Sequence, residues 1–172
     1  MKARSLNIES ATRNKLFYFV ATTVVYRRDD SRCLIMKRDN REKVHPGKWG
    51  ILGGKLEWSD LDLTQSTRMN GDVHDFFNIA ENLLAREALE EANIHIDKDI
   101  HYIKSLGFVR PDGIPVVMIE FACAYESGNV IPEKGSFTDF AWVNDKEVKT
   151  YDCIEGIKDE VNMTISIFKD LA

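Results

Sequence analysis

Six consecutive residues, Arg86-Glu87-Ala88-Leu89-Glu90-Glu91, bring three carboxylates and a guanidinium within two helical turns. At i, i+3 and i+4 the acids repel one another unless something neutralises them. One reading is a solvated acidic face. The sharper one is a hard divalent cation, because Mg²⁺ takes oxygen ligands and bridges carboxylates to phosphates. A second stretch weighs towards the cation. At Trp49-Gly50-Ile51-Leu52-Gly53-Gly54-Lys55-Leu56-Glu57 a strand-like run breaks at a glycine pair. Such a pair lets backbone approach closely and present carbonyls or amides to a ligand.

The element that must carry the acids is a helix over Ile79 to Ala92, free of Gly and Pro and rich in Ala, Leu, Glu and Arg. Asn78 with Glu81 predicts an N-cap and capping box, and Asn93 a left-handed C-cap. At about 100° per residue, Ala85, Ala88, Leu89 and Ala92 share the arc expected to lie on a sheet. Glu87, Glu90 and Glu91 share the opposite arc, and Leu83 intrudes on the acidic side.

Together these residues resemble the Nudix hydrolases, whose motif is G-x5-E-x7-R-E-U-x-E-E-x-G-U with U aliphatic. Gly54 begins it, and Arg86 to Ile94 completes it. There are three departures. Asp60 stands where the motif has Glu, 25 residues separate it from Arg86 where the motif has seven, and Asn93 replaces the last Gly. The insertion, of about 18 residues, occupies 61–78.

The resemblance implies an α/β fold, the Nudix-type α/β/α sandwich with a mixed β-sheet between helices, over roughly Leu16 to Ala172. It implies hydrolysis of a phosphoanhydride bond in a nucleoside diphosphate linked to another group, such as a dinucleotide, nucleotide sugar or nucleoside triphosphate. Mg²⁺, or Mn²⁺ in its place, would be held by Glu87, Glu90, Glu91 and the Gly53 carbonyl. Arg86 would orient a neighbouring Glu, for which the i,i+4 spacing to Glu90 is suitable. Glu90 is the first choice of general base and Glu133, in a later loop, the second. Glu57 would support the ligands or touch substrate, and Lys55 would touch substrate. Arg38, at a strand end beside Lys37, matches the place where a basic residue meets substrate phosphate. Asp60, one methylene short, leaves its motif role open.

Two other readings use the same fold. One is a non-catalytic nucleotide-binding regulatory module, against which the intact acidic constellation counts. The other is an isopentenyl diphosphate isomerase, which would want a cysteine near the glycine pair; the nearest is Cys33.

The remaining chain predicts a single domain, 1–172, with 1–14 as an N-terminal extension. Its 172 residues suffice to bury about two-thirds of the unfolded surface. A net charge of −5 with scattered Lys and Arg gives no footprint for nucleic acid. Cys33, Cys123 and Cys153 form no metal-like pair and suggest reduced thiols in the cytoplasm. The polar start has no signal-peptide core, and no apolar run reaches membrane-spanning length. Strand-rich termini and the family's habit are compatible with a homodimer.

Strands are expected at Leu16 to Tyr26, Cys33 to Lys37, Trp49 to Leu52, Ile100 to Val109, Val116 to Tyr125 and Asp139 to Val143. A closing helix over Ile154 to Leu171 would bury Ile154, Ile157, Val161, Ile165 and Phe168. Within the insertion, Asn70-Gly71 marks a turn, and Phe76 and Phe77 would pin the loop to the domain. Asp72, His74 and Asp75 read as solvated side chains rather than ligands. Because the insertion joins the glycine pair to the acidic helix, it is expected to shape the pocket for the non-phosphate end of a substrate.

Overall fold

The computed structural model describes residues 17–171; the predicted N-terminal extension lies outside them. The chain runs β1 (Tyr18–Arg27), β2 (Arg32–Arg38), β3 (Trp49–Gly50), β4 (Leu52–Lys55), β5 (Arg68–Asn70), β6 (Val73–Asp75) and α1 (Ile79–Ala92). It continues through β7 (Ile94–Ile96), β8 (His101–Val109), β9 (Pro115–Gly128), β10 (Phe137–Val143) and α2 (Ile157–Asp170).

Eight strands make one sheet along the path β10-β2-β1-β9-β7, with β3 on β2, β4 on β1 and β8 on β9. Every pair is antiparallel except β1 with β9, so the sheet is mixed, as expected. Strand alternation divides the core in two. Ala21 and Val25 of β1 and Leu34 and Met36 of β2 meet Leu84 and Ala88 of α1. Their neighbours Val24, Tyr26, Cys33 and Ile35 meet Val161, Ile165 and Phe168 of α2. β1 is buried on both faces from Thr23 to Tyr26, which explains its unbroken Val-Val-Tyr run.

Several elements differ from expectation. α2 begins at Ile157, so Ile154 packs ahead of the helix rather than on it. The Trp49 to Leu52 strand is two short strands meeting different partners, β3 on β2 and β4 on β1. Asn78 adopts the left-handed conformation (φ 55°) and its side chain makes no capping bond, so the expected capping box does not form. Its carbonyl still accepts the first helical bond, from Asn82 N–H at 2.9 Å. Asn93 caps the other end at φ 54°, as expected, its N–H donating to the Leu89 carbonyl at 3.0 Å.

The insertion is folded. Short 3₁₀ turns at Trp58–Asp60 and Leu63–Gln65 lead into the β5–β6 hairpin, where Asn70 pairs with Val73 around Gly71 at φ +61°. Asp75 is held by Arg68 at 2.6 Å and His74 lies 3.2 Å from Ser66 Oγ, so both have structural partners within the hairpin. Phe77 remains 47% exposed, with the Arg68 guanidinium 5.0 Å above its ring, and pins the loop less than expected. No helix among the described residues is long and apolar enough to cross a membrane.

Candidate active site

The glycine pair and the acidic helix meet because β4 lies against α1. Across the β1–β4 ladder Thr22 faces Gly53 and Ala21 faces Gly54. A side chain at Gly53 would stand 2.5 Å from the Ala21 carbonyl oxygen and 2.7 Å from Thr22 Cα, so that glycine is required by close strand approach. A side chain at Gly54 would overlap the Glu87 carboxylate instead. The two glycines thus do different work: Gly53 lets the strands close, and Gly54 leaves room for an acid.

That room alters the orientation of α1. Its buried residues are Leu83, Leu84, Ala88 and Ala92, while Leu89 is 47% exposed. The expectation that Leu89 would lie on the sheet, and Leu83 spoil an outward acidic face, is corrected. The helix is turned so that Glu87 and Glu91 point along its inner edge towards β4, where the sheet has no side chains to exclude them. Glu90 alone of the three faces outward, its side chain 54% exposed.

Each carboxylate has a distinct environment. Glu91 Oε2 accepts the Gly53 backbone N–H at 3.0 Å. Burial nevertheless pushes the Glu91 carboxyl up to about 8, aided by the charges of Glu87 and Glu133 and opposed by that bond and by Arg38. Glu87, with its side chain 13% exposed, is also raised, first by burial, although Arg86 pulls against it. Arg86 is the hub: its Nη1 lies 3.0 Å from Glu87 Oε1 and 3.2 Å from Glu90 Oε2. The other end of its fork, Nη2, is 3.5 Å from Asp60 Oδ2. Asp60 is set for this by its 3₁₀ turn, where Oδ2 also accepts the Glu57 N–H at 2.8 Å. The shorter acid at the motif position therefore reaches the site through Arg86.

Glu133 is delivered by the backbone. The loop after β9 docks on the end of α1, with Ile131 N–H donating to the Ala92 carbonyl and Glu133 N–H to the Glu91 carbonyl, both at 2.9 Å. Its exposed side chain is close enough to raise both Glu87 and Glu91. Arg38 ends β2 on the same side and acts on Glu91, but its guanidinium is held by Glu42 at 2.6 Å and the Val44 carbonyl at 2.8 Å.

Lys55 is not gathered here. Gly54 faces α1, so alternation turns Lys55 to the other face of the sheet, where its Nζ lies 5.7 Å from the Tyr18 ring centroid. Cys33 is remote too: it is buried in the α2 layer with its thiol pushed far up by desolvation, unsuited to act as a thiolate.

The acids Asp60, Glu87, Glu90, Glu91 and Glu133 outnumber the two guanidiniums beside them. Among the described residues no three His, Cys, Asp or Glu side chains form a ready-made metal cage. The oxygen-only donor set and the raised Glu87 and Glu91 nevertheless suit a hard cation that would restore their ionised forms.

A cavity of about 400 Å³ lies between the insertion and the first half of α1, to which Asp60 and Arg86 contribute wall. The insertion is expected to shape a pocket, and Asp62, Gln65, Thr67, Phe76 and Phe77 of it line this one.

No protein family model matches the chain, and neither does any curated protein. Solved structures do. A MutT Nudix hydrolase from Burkholderia pseudomallei superposes with a TM-score of 0.63 at 17% identity, covering 86% of this chain and 98% of that one. A MutT protein from Methanosarcina mazei gives 0.60 at 16%, covering 89% and 96%. The Nudix domain of Shewanella oneidensis NrtR, complexed with ADP ribose, gives 0.60 at 15%, covering 92% and 90%. The mixed sheet between two helical layers is the fold of these MutT and Nudix structures.

Proposed function

We propose that this protein is a divalent-cation-dependent hydrolase of a phosphoanhydride bond in a nucleoside diphosphate linked to another group. The observation that carries the reading is the pair Glu87 and Glu91, turned inward against Gly53 and Gly54 without enough positive charge to neutralise them. Glu87, Glu90 and Glu91, with the Gly53 carbonyl, would hold Mg²⁺ or Mn²⁺. When bound, the ion would supply neutralisation of the diphosphate and activation of a water.

The chain's own residues then divide the work. Gly53 N–H fixes one oxygen of Glu91, and the absence of a side chain at Gly54 sets the depth of Glu87. Arg86 bridges Glu87 and Glu90 through one nitrogen and ties them to Asp60 through the other. Glu90, exposed and paired with Arg86, would take a proton from an attacking water, with Glu133 as the second candidate. Arg38 would meet a phosphate after exchanging its bond to Glu42. Glu57 supports Asp60 through its backbone N–H.

The test is a panel of nucleotide derivatives assayed with Mg²⁺ or Mn²⁺ for phosphate release, with and without added pyrophosphatase or phosphatase to convert the products, alongside calorimetric titration of the metal into wild type and Glu90→Gln. Metal binding weakened in the variant, with turnover of at least one derivative in wild type, is the expected result. Equal, undetectable binding in both, even with a substrate analogue present, sinks the assignment. A protein that binds nucleotides with metal but turns none over would instead be a binding module.

A further inference from the structure

The cavity beside Arg86 is lined by two kinds of group. Leu56, Ile79 and the rings of Phe76 and Phe77 are apolar. Asp60, Asp62, Asn82 and Arg86 itself are polar. At about 400 Å³ it is within the range of small-molecule sites, and few sites need more than a handful of oriented polar groups.

The polar atoms decide what fits. Asp62 is already saturated, its Oδ1 accepting from Thr64 N–H and Oγ1 and its Oδ2 from Gln65 Nε2. These bonds lower its pKa and keep it charged. Asp60 Oδ2 serves Glu57 and Arg86, leaving Oδ1 without a partner among the described residues. Asn82 Oδ1 accepts from Lys98 Nζ at 2.9 Å, leaving its Nδ2 to donate. The lining therefore offers an acceptor and a donor, and its cation, Arg86, is already engaged by Asp60, Glu87 and Glu90. A second phosphate or an acidic sugar would find no uncommitted cation among these residues. A flat ring that stacks on a phenylalanine, gives one amine hydrogen and accepts one bond would be held.

Resting on the hydrolase reading, which places the diphosphate at the adjoining acids, we propose that this cavity binds the nucleobase of the substrate and selects one with an exocyclic amine beside a ring-nitrogen acceptor, the edge of adenine or cytosine. Phe76 supplies the stacking surface, Asp60 Oδ1 takes the amine hydrogen, and Asn82 Nδ2 donates to the ring nitrogen. The insertion is thereby a specificity element, because Phe76 lies within it and the turn that sets Asp60 leads into it.

The experiment uses nucleosides, which lack phosphate, with EDTA present so that no metal contributes. Adenosine against inosine and cytidine against uridine are titrated into the whole protein by calorimetry. The same series is run on Phe76→Ala and Asn82→Leu. The expected result is about tenfold or more preference for the amino-bearing member of each pair. Binding should weaken about tenfold in Phe76→Ala, and the preference should narrow in Asn82→Leu. Equal binding of adenosine and inosine by wild type, or no nucleoside binding at millimolar concentration, overturns the proposal without need of any variant. Selective nucleoside binding in a protein that hydrolyses no nucleotide upholds the pocket and removes the hydrolase reading. Turnover of nucleotides without discrimination between those pairs does the reverse.

Discussion

The carboxylate of Glu91 accepts the backbone N–H of Gly53 at 3.0 Å, joining two residues 38 apart in sequence. This bond couples the acidic helix to the glycine strand. It satisfies an amide that a regular ladder would have used, and in exchange holds a carboxyl where burial pushes it up to about 8. An acid kept in such a place, short of a cation, is better suited to a ligand than to stability.

Glu90→Gln separates those roles most cleanly. Glu90 is more than half exposed, and its one side-chain partner among the described residues is Arg86 at 3.2 Å. Exposed pairs of this kind contribute little, and removing one of several like charges relieves repulsion. The apo variant should therefore melt at the wild-type temperature or slightly above it. Turnover should fall by about 10²–10³ or more, as on loss of a central electrostatic group. Calorimetric melting beside initial rates checks both; inactivity arising from unfolding would make the helix merely structural.

The glycine pair gives a second contrast. An alanine methyl at Gly54 meets only the far end of the Glu87 side chain, which can swing away. At Gly53 it meets the backbone of Ala21 and Thr22, which cannot. Gly54→Ala should keep the wild-type melting temperature while losing about 10² or more in kcat. Gly53→Ala should lose stability as well, by about 1–3 kcal/mol. Denaturant midpoints for the two variants, compared with their rates, decide the matter.

Much of this arrangement is legible in the sequence, but unevenly. The central strands and α2 are readable because each buries an apolar pattern at its own period, as in Ile157, Val161, Ile165 and Phe168. The acids and the glycine pair are readable as types at spacings. The rotation of α1 is not. Local periodicity sets Glu87 and Glu91 among the solvent-facing residues, and only the missing side chains across the gap, on β4, allow them inward. The place of Glu133 is hidden for a similar reason, since backbone bonds to α1 deliver it rather than any side-chain pattern. Asp60 reads as a weak substitute in one dimension, yet a 3₁₀ turn brings it to Arg86.

Arg86 tests whether geometry or charge matters at that junction. Its planar fork spans Glu87, Glu90 and Asp60, which a lysine ammonium cannot do from one point. Arg86→Lys keeps the net charge and, at a partly exposed site, should alter stability by less than about 1 kcal/mol. Its kcat should drop at least about tenfold, and added Mg²⁺ should not restore it. Full activity in the lysine variant would reduce Arg86 to a counter-charge.

The opposite face of the sheet carries a second buried acid pair that takes no part in the site. Glu120 of β9 and Glu160 of α2, 3% and 2% exposed, share Lys104 of β8, whose Nζ lies 3.2 Å from the first and 2.9 Å from the second. Burial, then the charge of Glu160, raises Glu120 to about 7, while Lys104 opposes the shift. For an acid raised in the folded state, the stabilising form is the protonated one. Its contribution is complete below the ordinary carboxyl range and is lost as pH climbs through about 7. Glu120→Gln cannot ionise, so the stability difference between it and wild type should be constant up to about pH 5 and shift in the variant's favour between pH 5 and 8. Each pH unit crossed is worth at most about 1.4 kcal/mol, and each kcal/mol about 2–4 °C in a chain of this size. Thermal melts of both proteins across that range, with EDTA to keep the helix acids metal-free, give the curve directly. Parallel pH profiles for the two proteins would mean that Lys104 keeps Glu120 ionised throughout.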